Sequence, residues 1–293
     1  MLVDLVQVTT SDGVRLHGAL ELPPAAGTAG SPGSASAVDV WLCLHGTGSN
    51  FYAASTLSGL APKLLAGGAA VLRVNTRGHD ILCTGPSAGE HALLGAAFER
   101  VDESPLDVRA WLDLLTERGF RRIGLLGHSM GAIKAIFTLA ADDAPRVAAL
   151  AALSPPRLSH ASFRASPRSE DFLTTYAAAE ELVCAGRGSE LMLVDVPLPF
   201  YISAAGYLDR YGPEERYNVL RLFQRVACPT LVTYGSGEVP ANLAFRGMPE
   251  AVAALATPAN ALEVAVIAGA DHIYTGCHDS LAAVIGRWGR WKG

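Results

Sequence analysis

Residues 123–134 read IGLLGHSMGAIK. Ser129 stands in this stretch between Gly127 and Gly131, directly after a short apolar run and before apolar residues at helical spacing. A Gly-x-Ser-x-Gly sequence in this context forms a sharp turn, whose glycines let neighbouring backbone pass close by and leave the serine hydroxyl exposed. The stretch therefore predicts a buried strand, a tight turn at Ser129 and a helix.

The composition is that of a globular protein. Of 293 residues, 50% are apolar and 17% are charged, which allows a sizeable core and argues against disorder. The net charge is −5 and no stripe of Lys or Arg appears, so nucleic acid is not an expected partner. The apolar stretches are too short to cross a membrane and the N-terminus lacks a signal-peptide pattern, so we expect a soluble cytoplasmic protein. Monomer and homodimer both stay open.

The cysteines give no sign of a structural or metal site. Five are present, without a Cys-x-x-Cys pair: Cys43, Cys83, Cys184, Cys228 and Cys277. Their odd number argues against a closed disulfide framework, and their spacing is not that of a zinc site. We expect them to be reduced, and we expect no metal.

Predicted strands and helices alternate along most of the chain, which is typical of a parallel sheet with helices on both faces. Residues 6–23 show two alternating runs around a Ser-Asp-Gly turn and predict an opening β-hairpin. The clearest helix is expected to follow Ser104 as N-cap, with Pro105 in its first turn and Gly119 after its end.

One stretch breaks this alternation. Residues 156–225 show helical periodicity without a buried-strand run, so we interpret them as an inserted cap. Residues 1–155 and 226–293 then form the core. The cap is rich in Tyr and Phe, and Tyr176 and Tyr207 are candidate substrate contacts, although most of these aromatic residues are expected only to hold the cap together.

An activated serine needs a base within hydrogen-bond reach and a carboxylate that orients the base. Active sites of parallel α/β sheets lie at the carboxyl ends of the strands, so the base should directly follow a strand. Three of the eight histidines do: His45, His79 and His272. His272 follows the last predicted strand and is our choice, because His45 lies in a glycine-rich loop better suited to N–H donation. His79 is harder to exclude.

The acid should also stand at the end of a strand. Glu238 follows a predicted strand and a Gly-Ser-Gly turn, which places it at the edge of the sheet. Asp271 is adjacent to His272 and points elsewhere on extended backbone. We therefore predict Glu238 as the acid.

The charge that develops on an attacked carbonyl oxygen needs N–H donors. The backbone N–H of Met130 is one candidate, because it lies at the start of a helix. Thr47, in the loop His45-Gly46-Thr47-Gly48, is the second. A phosphate-binding loop is the alternative for this segment, but it lacks the Gly-Lys-Ser/Thr ending of a P-loop. The side chain of His45 is a further candidate substrate contact.

Taken together, these pieces resemble the α/β-hydrolase superfamily. The matching motifs are HGTGS, GHSMG, GSGE and GADH, which place the serine, the acid and the histidine in that order. The resemblance implies an α/β-hydrolase fold with a mostly parallel eight-stranded sheet, a largely helical cap inserted after the sixth strand, and a serine hydrolase without a cofactor. The acid is Glu where most members have Asp, which keeps Asp80, Asp209 and Asp271 as possible substitutes.

The expected activity is hydrolysis of a carboxylic ester through an acyl-enzyme on Ser129. The aromatic cap and the lack of a cationic cluster point to a small, neutral to hydrophobic ester as the partner. Cleavage of an amide, lactone, thioester or carbon–carbon bond uses the same groups and stays open. A non-catalytic ligand-binding protein of this fold is the third possibility.

Overall fold

The computed structural model describes residues 3–24, 38–257 and 261–289. The remaining residues of the predicted core ranges, 1–2, 25–37, 258–260 and 290–293, lie outside this description. The strands are β1 (Val3–Thr9), β2 (Arg15–Glu21), β3 (Val40–Leu44), β4 (Ala70–Val74), β5 (Cys83–Ser87), β6 (Glu90–Leu94), β7 (Ile123–His128), β8 (Ala149–Leu153), β9 (Leu191–Val194), β10 (Phe200–Ser203), β11 (Thr230–Gly235) and β12 (Leu262–Ile267). The α-helices are α1 (Thr56–Ala66), α2 (Ser104–Glu117), α3 (Met130–Leu139), α4 (His160–Arg164), α5 (Ser169–Cys184), α6 (Ala204–Tyr211), α7 (Val219–Leu222), α8 (Glu238–Ala241), α9 (Met248–Ala253) and α10 (His278–Trp288).

Eight strands form one large sheet in the order β1-β2-β4-β3-β7-β8-β11-β12. The strand β2 is antiparallel to both β1 and β4, and every neighbouring pair from β4 to β12 is parallel. The expected mostly parallel eight-stranded sheet is therefore confirmed. Its parallel strands end at one common edge, where the loops that carry the candidate site residues begin.

Helices cover both faces of this sheet. The central strand β3 is buried along its whole length, and its side chains alternate between two apolar cores. Val40, Leu42 and Leu44 join the core that α2 and α3 cover, while Trp41 and Cys43 join the core under α1 and α10. Burial on both faces explains why the strand reads as an unbroken apolar run in the sequence.

The chain leaves the sheet between β8 and β11, the sixth and seventh strands of the large sheet in chain order. Helices α4 to α7 lie in this excursion, together with an antiparallel ribbon of β9 and β10. We call residues 156–225 the cap, as predicted from the sequence; its limits as a domain stay a prediction. The ribbon was not expected, because Leu191 and Leu193 are exposed and the strand has no buried run.

The start of α2 differs from the prediction. Its N-cap is Glu103, without a side-chain hydrogen bond, and Ser104 is already helical. A short 3₁₀ turn over Val101–Glu103 precedes the helix, and the Ser104 hydroxyl donates to the carbonyl of Val101 at 2.6 Å. The predicted N-cap at Ser104 is thus wrong, because this extra turn starts the helix one residue early.

Candidate active site

The turn between β7 and α3 carries Ser129, as the sequence predicts. Its φ of 55° and ψ of −119° form a conformation that costs a non-glycine residue about 1–3 kcal/mol. A Cβ atom at Gly127 would overlap the carbonyl of Gly131, and one at Gly131 would overlap the carbonyl of Leu44. Both positions therefore require glycine, because backbone segments touch there. The packed turn holds Ser129 in a strained conformation at the sheet edge.

Ser129, His272 and Glu238 lie in one hydrogen-bonded row. The Ser129 Oγ is 3.1 Å from His272 Nε2, and His272 Nδ1 is 2.7 Å from Glu238 Oε2. A carboxylate only accepts, so Nδ1 of His272 carries the proton and Nε2 is free to accept from the serine. The structure thus brings together the three side chains that the sequence analysis selected, in the arrangement needed to activate a serine.

The carboxylate of Glu238 is held at its other oxygen. Glu238 is the buried first residue of α8, shortly after β11. Its Oε1 accepts from the Ser154 hydroxyl at 2.5 Å and from the Gly235 backbone N–H at 2.7 Å. The Tyr274 hydroxyl lies 2.8 Å from that of Ser154. These bonds leave Oε2 directed at His272. Sequence analysis missed Ser154 and Tyr274. The only indication in the sequence was that Ser154 directly follows β8 and that Tyr274 lies close to His272.

The backbone around His272 is held by two buried side chains of the core. His128 Nε2 lies 2.8 Å from the carbonyl oxygen of His272, and the Thr56 hydroxyl donates to the carbonyl of Ile273 at 3.1 Å. Burial, with a smaller effect of the nearby His272, lowers the pKa of His128 to about 3. His128 is therefore a neutral N–H donor at pH 7, and it helps to place the loop that carries the base.

The backbone amides of Met130 and Thr47 are the predicted oxyanion donors. Met130 is the first residue of α3, where an N–H has no partner within the helix. The loop with Thr47 passes beside the nucleophile, because a Cβ atom at Gly46 would lie 3.1 Å from the Ser129 Cβ. Among the described residues, none accepts a backbone hydrogen bond from Thr47 N–H. The role of both amides as oxyanion donors stays a prediction.

The sequence matches the alpha/beta hydrolase family over residues 41–285. The chain belongs to the alpha/beta hydrolase family. No curated protein matches this hydrolase in sequence at a significant level. Family membership supports hydrolase activity and leaves the substrate open.

Solved structures of other hydrolases have the same fold. An alpha/beta hydrolase from Penicillium sp. sh18 superposes with a TM-score of 0.68 at 16% identity, over 99% of this chain and 98% of that chain. An esterase from Pyrococcus furiosus gives 0.61 at 20% identity, over 100% and 92% of the two chains. The esterase Est1E from Butyrivibrio proteoclasticus with bound ferulic acid gives 0.62 at 15% identity, over 97% of each chain. At these identities the likeness shows the fold alone.

The alternative base and acids lie in other contacts of the hydrolase. His79 Nδ1 is 2.8 Å from the carboxylate of its neighbour Asp80, which also accepts from Asn50. Asp209 accepts from the Tyr217 hydroxyl, and Asp271 accepts from backbone amides that follow it in its own loop. None of these acids occupies the place at His272 Nδ1, which Glu238 fills.

Two of the three candidate substrate contacts are buried. Tyr207 is 0% exposed, with its hydroxyl donating to the carbonyl of Val196 at 3.2 Å, and His45 is 1% exposed. This burial argues against direct contact of either side chain with a substrate, and both contacts stay predictions. Tyr176 is half-buried against Tyr207 and His160, and its role as a substrate contact stays a prediction.

The described part of the chain gives no sign of a metal or a membrane span. Across residues 3–24, 38–257 and 261–289, no group of three or more His, Cys, Asp or Glu side chains could hold a metal ion. In the same ranges, no helix is long and apolar enough to cross a bilayer.

Proposed function

We propose that this hydrolase cleaves carboxylic esters through an acyl-enzyme on Ser129. The observation that carries the proposal is the continuous row from Ser129 Oγ through both ring nitrogens of His272 to Glu238, at 3.1 and 2.7 Å. A serine becomes a nucleophile when a base accepts its proton and a buried carboxylate stabilises the resulting imidazolium. Glu238 is buried and directed at the base, so it suits that role.

The first half of the reaction forms the acyl-enzyme. Ser129 Oγ attacks the ester carbonyl carbon while its proton moves to His272 Nε2. The carbonyl oxygen becomes an oxyanion, and the backbone N–H groups of Met130 and Thr47 are the donors proposed to receive it. The tetrahedral intermediate then releases the alcohol, which takes the proton from His272.

The second half returns the free enzyme. A water molecule gives a proton to His272 Nε2 and attacks the acyl carbon, and the same donors stabilise the second oxyanion. Collapse releases the carboxylic acid and returns the proton from His272 to Ser129. Glu238 keeps its negative charge throughout, because its task is to orient and stabilise the imidazolium.

Apolar side chains near the row support a neutral to hydrophobic ester. The ring of Phe245 packs against that of His272, with centroids 4.8 Å apart. Ile273 follows the base and is half exposed, and Ile81 lies against Gly48 of the loop that contains Thr47. An acyl or alcohol group without charge suits such surroundings.

A panel of p-nitrophenyl esters with acetate, butyrate, octanoate and laurate acyl groups tests the proposal. The panel should include anilides and lactones of matching size, with Ser129→Ala as the matched control. We expect turnover of esters by the wild type and loss of that turnover in Ser129→Ala. Ester turnover that is equal in both proteins would contradict the proposal. Faster turnover of the anilides or lactones would show that the same catalytic groups act on amides or lactones instead of esters.

A further inference from the structure

A buried group of charged side chains joins helix α3 to the cap helix α6. Lys134 of α3, Glu99 and Arg210 of the cap helix α6 each have a side chain at most 2% exposed. The Lys134 ammonium lies 2.5 Å from Glu99 Oε2, and Arg210 Nη2 lies 3.3 Å from Oε1. Removing such an ion from water costs several kcal/mol, and the attraction within an ion pair offsets this cost only when the geometry is good. A buried charged group in the core is therefore weak evidence for stability and invites a functional explanation.

A directed row of hydrogen bonds leads from this group to His45. The Lys134 ammonium donates to the Thr76 hydroxyl at 2.8 Å, and that hydroxyl lies 3.2 Å from His45 Nε2. An ammonium only donates, so the Thr76 proton is free to point at His45. The backbone N–H of Thr76 donates to the same Nε2 at 3.2 Å. Nε2 of His45 is thus the acceptor of two donors.

The opposite nitrogen of His45 acts on the oxyanion loop. Nδ1 lies 2.8 Å from the carbonyl oxygen of Gly46, which can only accept, so Nδ1 carries the proton. Burial, followed by the charge of Lys134, lowers the pKa of His45 to about 3. The ring therefore stays neutral at pH 7, in the one tautomer that both sets of contacts require.

The carbonyl that His45 holds belongs to the same peptide unit as the Thr47 N–H. The Gly46–Thr47 peptide is trans, and in a planar trans peptide the C=O and N–H bonds point in opposite directions. The backbone N–H of Ser49 also donates to Gly46 O, at 3.2 Å. Holding this carbonyl on the side of His45 therefore directs the Thr47 N–H to the other side, and Gly46 itself lies beside Ser129.

We infer that His45 is a positioning residue, which the buried row from Lys134 through Thr76 holds in one tautomer so that it orients the Gly46–Thr47 peptide for oxyanion binding. The inference rests on the proposed function and assigns a role to a histidine whose ring is buried. Arg210 lies at the far end of the same buried group, so it ties a residue of the cap to the support of the oxyanion loop.

The test compares His45→Leu with His45→Asn in the hydrolysis of p-nitrophenyl butyrate. Leu removes the donor to Gly46 O, whereas the side-chain amide of Asn reaches the place of Nδ1. Loss of one oxyanion donor lowers kcat by about 10²- to 10³-fold, so we expect a loss on the order of 10²-fold in Leu with KM within about twofold. Asn should recover at least about tenfold of that loss. Active sites are counted by fluorophosphonate labelling, so kcat refers to folded enzyme alone.

Phenylboronic acid supplies a readout that a purely structural role would not change. Its boron accepts the Ser129 oxygen, the serine proton moves to His272, and one boron-bound oxygen lies where the oxyanion would form. We expect the affinity for this compound to fall by the same factor as kcat, while KM stays constant. A His45→Leu enzyme with kcat per labelled site within about threefold of wild type would overturn the inference, as would equal losses in Leu and Asn.

Thr76→Val and Thr76→Ser keep the inference testable if His45→Leu does not fold. Val removes the hydroxyl that links Lys134 to His45, and Ser keeps it, so only Val should lower kcat and boronate affinity. The loss should be smaller than in His45→Leu, because the Thr76 backbone N–H still donates to His45 Nε2. Thr138→Val is the matched control, because Thr138 is a buried threonine of α3 whose hydroxyl donates to the backbone carbonyl of Lys134 instead. A Thr76→Val enzyme that equals Thr76→Ser in kcat would contradict the inference. Failure of wild type to hydrolyse esters or to be labelled would instead contradict the proposed function.

Discussion

Glu238→Gln separates the charge of the acid from its shape. The Gly235 N–H at 2.7 Å can only donate, so the carbonyl oxygen of Gln must take the place of Oε1. Its amide NH₂ then takes the place of Oε2 and points at His272 Nδ1. That nitrogen must become the acceptor, so Nε2 carries the proton and can no longer accept one from Ser129.

The expected loss in kcat is about 10⁴-fold, the effect of the equivalent change in the well-studied serine protease triad. This corresponds to about 5 kcal/mol of activation free energy. Glu238→Asp is the matched control, because it keeps the charge and shortens the side chain by one methylene. We expect kcat to fall in the order wild type, Asp, Gln.

Steady-state hydrolysis of p-nitrophenyl butyrate measures this order, with thermal unfolding to show that all three proteins fold. A Gln enzyme within about threefold of wild type, which is less than about 1 kcal/mol, would refute the reasoning. Some other carboxylate would then orient His272, and Asp271 in the same loop would be the first to test.

Three further predictions concern the base and the buried polar groups. His272→Ala should lower kcat by about 10⁴-fold or more, and His79→Ala by less than about tenfold; the reverse ranking in ester kinetics would move the base to His79. Burial and the nearby His272 lower the pKa of His128 to about 3, below its unfolded value of about 6.5. Its contribution to stability is thus present above about pH 6.5 and falls by about 2 kcal/mol towards about pH 5; urea unfolding of His128→Gln should lack this loss, and an unchanged pH dependence would contradict it. Asp107→Ala should cost about 3–5 kcal/mol in urea unfolding, because it leaves the mostly buried guanidinium of Arg77 without its buried partner; a cost below about 1 kcal/mol would show that Arg77 is satisfied by its other carboxylates.

The parts of the fold that could be predicted are those in which buried residues follow one another along the sequence. Strand β7 reads as an apolar run because both of its faces are covered, and Gly127 and Gly131 are recognisable because backbone contacts exclude any Cβ there. The ribbons β5–β6 and β9–β10 were missed, since their side chains are mostly exposed or half-buried and leave no apolar run.

The three side chains of the hydrogen-bonded row could be predicted from the sequence, whereas the buried residues that hold them in place could not. Ser129, Glu238 and His272 each follow a strand, so the edge of the sheet brings them together. The Ser154 hydroxyl donates to Glu238 from 84 positions away in the sequence, and no local sequence pattern predicts such a contact. His45 shows the same limit, because it was a candidate substrate contact in the sequence while the fold buries its ring.

Covalent labelling of Ser129 tests the central claim most directly. Wild type and Ser129→Ala are incubated with a fluorophosphonate, and intact mass and peptide mapping locate the adduct. The account predicts one adduct on wild type, at Ser129, and none on an equally stable Ser129→Ala protein, because only an activated serine displaces fluoride from such a phosphorus centre readily. Equal labelling of both proteins, or an unlabelled wild type, would contradict it.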